Sequence, residues 1–303
     1  MTDMNTLRDA LHDDQLLPLA WPAPERVRAF VTTRAGGVSG EAWGLAGGAG
    51  GGLNLGARCG DDPLAVQENR RRLRARLPGE PVWLRQVHGI DVLAADATAD
   101  RGDTGAIGSG PHGAAADVAR SGTDEPADGG TATVVAAFDG EPVADAAITQ
   151  RRGQVLAVLT ADCLPVFFCD AGGRAVGIAH AGWRGLAAGV LEQTLLRLRS
   201  RLPGTGWLAH LGPGIGPRAF EIGADVHAAF VEGDAAAADA FVPTGTPGKW
   251  WCDLYALARL RLARAGIDAV TGGEHCTASD PQRFYSHRRD RTSGRLASVI
   301  WLR

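Results

Sequence analysis

The feature that most constrains how this chain folds is a close succession of three short apolar runs, QVLAVLT (154–160), PVFFC (165–169) and RAVGIAH (174–180). They are rich in β-branched and aromatic residues and too short for helices, so they read as buried strands. Cys163 then falls in the turn between the first two strands, and His180 at the end of the third, just before the glycine-bracketed turn AGWRG. A strand end followed by such a turn lifts a side chain out of the sheet and into the crevice where open α/β layers bind ligands. WLRQVHG repeats the pattern, with His88 closing a short apolar run ahead of a glycine. Three soft or borderline donors thus emerge at three element ends.

Two segments read as helices. In DDPLAVQENRRRLRARLPG, Asp62 is a capping residue and Pro63 suits the first turn; Val66, Leu73 and Leu77 share a face, and Pro78-Gly79 stops the run. In GLAAGVLEQTLLRLRSRLPG, Leu191, Leu195, Leu198 and Leu202 form one stripe with arginines opposite. Both stripes are expected in the core. The clusters Arg70-Arg71-Arg72 and Arg288-Arg289 are expected on solvated helix faces or loops. AWGLAGGAGGG (42–52) and the Ala-, Gly-, Asp- and Thr-rich run from about 96 to 141 lack the apolar side chains that would repay ordering, which marks them as flexible surface insertions. No internal repeat or clean linker divides the chain, so one domain over 1–303 is expected, with two lobes meeting near residue 145 as the alternative.

The 303 residues, 45% hydrophobic, can bury one large core or two modest ones. A net charge of -3 gives no reason to expect nucleic acid or an anionic membrane as a partner. MTDMNTLRDALHDDQ has no basic start leading into an apolar core, so the expected location is the cytoplasm. Five cysteines at irregular spacings, without C-x-x-C, argue against a disulfide framework or a zinc finger. Chemistry at Cys163 would use a free or metal-bound thiolate. Singly, a buried cysteine is usually a small hydrophobe and a lone histidine a satisfied polar group. Together, His88, Cys163 and His180 suit Zn²⁺, and three protein ligands leave the fourth position of a catalytic centre open.

FVTTRAGGVSG, LNLGARCGDDPLAVQENR, PVWLRQVHG, TADCLPVFF, HAGWRGL, LGPGIGPRAFEIG and FYSHRRDRTSGR follow one another in this order. In these motifs the chain resembles the family known as laccase-domain polyphenol oxidases, as zinc-dependent purine nucleoside phosphorylases and, in some bacteria, as peptidoglycan-editing factors. The resemblance implies an α+β fold, a single domain with layered mixed β-sheets and flanking helices. It also implies a zinc site at His88, Cys163 and His180, and nucleoside and phosphate as small-molecule substrates. The implied activity is phosphorolysis of adenosine, inosine, guanosine and methylthioadenosine, with adenosine deamination as a companion reaction. His287 stands where similar proteins often carry a tyrosine. The glycine expansion before Leu53 and the 96–141 run are further departures.

Deamination needs a hydroxide at neutral pH, which Zn²⁺ supplies by lowering the pKa of bound water to about 7, and an acid to carry the proton. Asp162 is the candidate acid; it reads equally as a turn residue that satisfies backbone amides. Phosphorolysis needs donors that hold phosphate near the anomeric carbon. Arg184 and Arg34, in glycine-bounded loops, are the candidates, with a surface role open for Arg34. Asn54 would bind a ribose hydroxyl or close an Asx turn, and His287 and Arg288 are weaker candidates of the same kind. GPGIGP (212–217) lacks the G-x-G-x-x-G spacing and reads as a rigid turn able to line the pocket.

Three competing readings follow. A multicopper oxidase needs many histidines in H-x-H pairs; this chain has eight histidines, none so paired, and methionines only at Met1 and Met4. Adventitious Cu²⁺ at the three-ligand site would still give weak phenol oxidation. Cys163 activated by His180 would suit an amidase that removes misincorporated serine from a UDP-muramyl precursor. A non-enzymatic module with a fold-fixing zinc is the third, and the open site argues against it. The oligomeric state is not legible.

Overall fold

The computed structural model describes residues 11–96 and 138–303. Most of the insertion expected over 96–141 lies outside these residues. The protein is α+β. The three central runs form β7 (Val155–Thr160), β8 (Leu164–Asp170) and β9 (Val176–Ala181). They do not share one sheet: β7 belongs to a five-stranded sheet and β8 and β9 to a six-stranded one. The turn that holds Cys163 therefore carries the chain from one layer to the next.

The first sheet runs β1 (Leu16–Pro18), β2 (Val27–Thr32), β15 (Leu296–Leu302), β7 and β4 (Pro81–Val82), antiparallel except for the β4–β7 pair. The second runs β14 (Val270–Gly272), β10 (Trp207–Leu211), β8, β9, β6 (Ala146–Thr149) and β5 (Val92–Ala94), parallel only at its two edges. A small antiparallel sheet joins β11 (Glu221–Gly223), β13 (Lys249–Cys252) and β12 (Phe241–Pro243). β3 (Ala35–Ser39) makes isolated bridges to Gly52.

The period of two along each strand decides the layering. Val155 and Ala157 of β7 join Leu73 and Leu77 in a core under helix α1 (Pro63–Arg74). The alternate residues, Leu156 and Val158, meet Phe167, Cys169, Val176 and Ile178 between the two sheets. Leu164, Val166 and Phe168 point the other way, onto the helices. Those helices are α2 (Trp183–Ala188), α3 (Val190–Arg201), α4 (Ala224–Val231) and α5 (Leu254–Arg264). Strands buried on both faces carry near-continuous apolar runs, which is why the three runs lack alternation. Each fully buried Leu or Phe contributes roughly 1.5–3 kcal/mol.

Helix α1 starts as expected, with Asp62 accepting from the Leu64 amide and Pro63 in the first turn. The arginine cluster on it splits. Arg71 and Arg72 pair with Glu68 on the outside, whereas Arg70 is buried, contrary to the solvated face expected for all three. Arg70 is four residues after Val66 and three before Leu73, and so lies on the buried stripe. The segment expected as a single helix from Gly185 is two helices, because Gly189 adopts φ 101° between α2 and α3. The glycine-rich loop 42–52 is tied back by hydrogen bonds from Arg34 Nη2 to the Gly44 carbonyl (2.8 Å) and from the Gly36 and Gly37 amides to the Gly51 carbonyl. Among the described residues no helix is long and apolar enough to cross a membrane.

Candidate metal centre and active site

The β8–β9 register sets Leu164 opposite Ala181 and Pro165 opposite His180. Cys163 precedes the first of these, so the turn from the first sheet delivers its thiol beside the end of β9. His88 arrives from the loop after β4 in a left-handed conformation, φ 62°. The ligand atoms of His88, Cys163 and His180 all lie within 4.8 Å of one another. The two imidazoles meet edge to face with centroids 4.8 Å apart, and Cys163 Sγ is 3.7 Å from His88 Nε2.

A residue that sequence reasoning missed holds this cluster together. The buried carboxylate of Asp145, just before β6, accepts from the amides of Val87 (3.2 Å), His88 (2.9 Å) and Gly89 (2.7 Å) and bonds His180 Nδ1 at 2.9 Å. Its carbonyl accepts from the His180 amide at 2.7 Å. One aspartate thus fixes the strained His88 loop and the end of β9, and it holds Nδ1 of His180 so that Nε2 faces the cluster. Burial alone would raise the Asp145 pKa, but the bonds from His180 and the loop amides outweigh it and keep the pKa below the usual carboxylate range.

The electrostatics favour a thiolate. Burial pushes the Cys163 pKa up, yet the charge and hydrogen bond of His180, with a smaller contribution from His88, bring it down to about 6. Burial likewise opposes the charged form of His180, but the Cys163 thiolate and Asp145 raise its pKa to about 9. Each partner thus favours the charged form of the other.

The donor set fits a metal ion, and Zn²⁺ in particular. One thiolate and two imidazoles are zinc ligands, and the 3.7 Å Sγ–Nε2 separation is near the ~3.5 Å expected of two ligands on one tetrahedral centre. Gly182 makes room for them: a Cβ there would stand 2.6 Å from His88 Cδ2 and 3.0 Å from Cys163 Sγ.

The cluster opens into a cavity of about 460 Å³. Five arginines line it, Arg58, Arg70, Arg85, Arg184 and Arg295, along with His287, Cys59 and Thr160. Arg70 is clamped between the rings of Trp83 (4.1 Å) and Phe138 (4.7 Å). Its Nε donates to the Leu55 carbonyl and its Nη1 to Glu141, while the buried Nη2 has no partner among the described residues. Arg58 pairs with the same glutamate. Arg184, in the first turn of α2, stacks on its neighbour Trp183 at 4.4 Å. The guanidinium groups of Arg85 and Arg184 make no hydrogen bond or ion pair among the described residues. A cation-lined hollow beside a candidate metal site is suited to an anionic substrate.

Of the residues singled out in the sequence, His88, Cys163, His180, Arg184 and His287 come together here. The others are placed elsewhere. Asp162 spends its oxygens on Thr277 Oγ1 (2.6 Å) and the Arg288 amide (2.6 Å) and is not among the lining residues. Arg34 is buried under Gly44 and Pro281, with Tyr285 stacked 4.8 Å away. Asn54 is fully buried, bonded to Asp61 and to the backbone of Gly56 and Arg295. Arg288 donates to the Glu221 carbonyl. The GPGIGP turn buttresses Asp162 through the Ile215 amide and does not line the cavity.

Residues 28–303 match the family described as multi-copper polyphenol oxidoreductase laccase. The chain belongs to this family. It is 46% identical over 282 residues to a purine nucleoside phosphorylase of Pseudomonas aeruginosa, covering 93% of this chain and 96% of that one. It is 43% identical over 294 residues to the purine nucleoside phosphorylase YfiH of Escherichia coli, covering 95% and 99%. Among solved structures, a Neisseria meningitidis family member superposes with a TM-score of 0.75 at 40% identity, covering 95% of this chain and 99% of that one. YlmD of Geobacillus stearothermophilus superposes at 0.73 with 27% identity, covering 97% and 98%. The family's descriptive name evokes several copper centres; among the described residues one group, His88–Cys163–His180, could hold a metal ion.

Proposed function

We propose that the protein is a zinc-dependent purine nucleoside phosphorylase, acting in the cytoplasm on adenosine, inosine, guanosine and methylthioadenosine, with adenosine deamination as a companion reaction. The observation that carries this reading is the junction, in one cavity, of the His88–Cys163–His180 cluster with an arc of arginines. The names of the relatives support it. Zn²⁺ held by His88, Cys163 and His180 would supply a Lewis acid that polarises a substrate oxygen.

The chain's own residues do the rest. Arg184 and Arg85, unpaired among the described residues, draw in phosphate. These cations stay in place as charge redistributes between phosphate and sugar, so no reorganisation accompanies the reaction. Asp145 keeps the His180 imidazole and the His88 backbone in place. Arg34, Asn54 and Asp162 act at second hand by holding the loops that shape the cavity.

A second reading draws on the same side chains. Cys163, His180 and Asp145 form a thiolate–imidazolium–carboxylate relay of the kind that activates a cysteine nucleophile, which suits the muramyl-precursor amidase. Metal separates the two readings, because an amidase would survive strict zinc removal.

The test is chromatographic. Metal-quantified protein is incubated with adenosine, with and without phosphate, beside His88→Ala, and adenine, inosine, hypoxanthine and ribose 1-phosphate are resolved. The expected result is phosphate-dependent base release that disappears in the variant. A folded, zinc-loaded protein that forms no product would overturn the reading.

A further inference from the structure

Phosphorolysis leaves a chemical demand that the metal and the arginines do not meet. When the glycosidic bond breaks, its electron pair leaves with the purine, and the base departs far more easily if a ring nitrogen takes up a proton. The cavity must therefore hold an acid. No carboxylate is found among its described lining residues. The arginines cannot serve, since guanidinium does not release its proton in proteins. His88, Cys163 and His180 are committed to the metal. Cys59 keeps its proton: burial pushes its thiol up, and Sγ is held between the Gly56 carbonyl (3.1 Å) and the Asn54 side chain. His287 remains.

Its placement fits the task. His287 is the first residue of α6 (His287–Asp290), exposed at the rim of the cavity. The backbone on both sides of it is fixed. Ser286 caps the helix by accepting from the Arg289 amide (3.2 Å), and Asp162 accepts from the Arg288 amide (2.6 Å). The Arg288 guanidinium reaches across to the Glu221 carbonyl (2.8 Å). Asp162 thereby acts as a positioning residue for the helix that presents the imidazole. The charged groups around His287 are Arg288, Arg289 and Asp290 on α6, Asp162 against its first turn, and Arg184 and Arg295 on the cavity walls.

We propose that His287 is the general acid that protonates N7 of the departing purine. This assignment rests on the phosphorolysis reading above. The step balances as follows. An oxygen of hydrogenphosphate bonds to the anomeric carbon while the bond from that carbon to N9 breaks, and its electron pair passes into the purine. The His287 imidazolium gives its proton to N7. The proton that phosphate loses on becoming the sugar phosphate dianion returns to His287 through solvent. Imidazole is the side chain suited to this exchange near neutral pH.

The experiment compares inosine with 7-methylinosine, whose N7 already carries a methyl group and positive charge and needs no proton. Zinc-loaded wild-type protein and His287→Gln are assayed for phosphate-dependent base release, with zinc content and circular dichroism confirming that the variant is folded. The expected result is a loss of about 10²- to 10⁴-fold in kcat with inosine and little change with 7-methylinosine. Equal losses on both nucleosides, or no loss on inosine, would overturn the assignment. Wild-type protein that releases no base from inosine would instead remove the phosphorolysis reading, and this assignment with it.

Discussion

Replacing Asp145 with asparagine isolates the contribution of the carboxylate behind the metal ligands. One oxygen bonds the His88 amide and His180 Nδ1; the other accepts from the Val87 and Gly89 amides. Asparagine has the same shape but only one acceptor oxygen. In either orientation its NH₂ confronts two N–H donors, so two hydrogen bonds around the buried side chain vanish. Each unsatisfied donor costs about 1–3 kcal/mol, which gives about 2–6 kcal/mol in total. That loss divides between stability, because the strained His88 loop is released, and metal affinity, because the His180 imidazole loses its orientation. Loss of such an outer partner lowers metal affinity about 10- to 100-fold, or about 1.4–2.7 kcal/mol. Competition with a chromophoric zinc chelator measures the second part and denaturant unfolding the first. An Asp145→Asn protein that binds zinc within twofold of wild type and unfolds at the same denaturant concentration would refute the reasoning.

Two further perturbations follow from the same geometry. Gly182→Ala suits the local backbone (φ -65°, ψ 159°), so the clash of its Cβ with His88 and Cys163 acts alone; zinc stoichiometry is expected to fall below one per chain while the unfolding midpoint of metal-free protein stays close to wild type. His210 is buried, with its Nδ1 2.8 Å from Thr271 Oγ1, and burial lowers its pKa to about 4. The unfolded state, with a histidine pKa near 6.5, binds the extra proton first, so stability is lost as pH falls from about 6.5 to about 4, by about 3 kcal/mol. Denaturant titrations at pH 7, 5 and 4 are expected to show this slope in wild type and a reduced one in His210→Gln; an equal slope in both would assign the loss to other groups.

The grouping of His88, Cys163 and His180 was legible because each stands at the end of an element or in the turn between two strands, where strand physics leaves a side chain in a crevice. Asp145 carried no such signal. It is one acid beside a low-complexity run, and its partners, His88 and His180, are distant in sequence and meet it only once β6 and β9 pair. Arg70 was legible in principle, since its helical phase matches Val66 and Leu73, but adjacency to Arg71 and Arg72 suggested a solvated patch. Arg34, read from its glycine-bounded loop, pins that loop by bonding the Gly44 carbonyl, and Asn54 closes the Asx turn that was its alternative reading by accepting from the Gly56 amide. The split of β7 from β8 and β9 depends on β15 pairing with both β2 and β7, a contact between the two ends of the chain that no local pattern reveals.

The central claim is that the metal cluster and the arginine arc form one site for a nucleoside and phosphate, and phosphate saturation tests it most directly. Ribose 1-phosphate formation from inosine is measured against phosphate concentration for zinc-loaded wild-type protein and Arg184→Gln. The account expects saturation by phosphate, with the variant's phosphate KM raised about tenfold for one lost charge-assisted bond and its inosine KM unchanged. Base release that is independent of phosphate, or a variant indistinguishable from wild type, would contradict it.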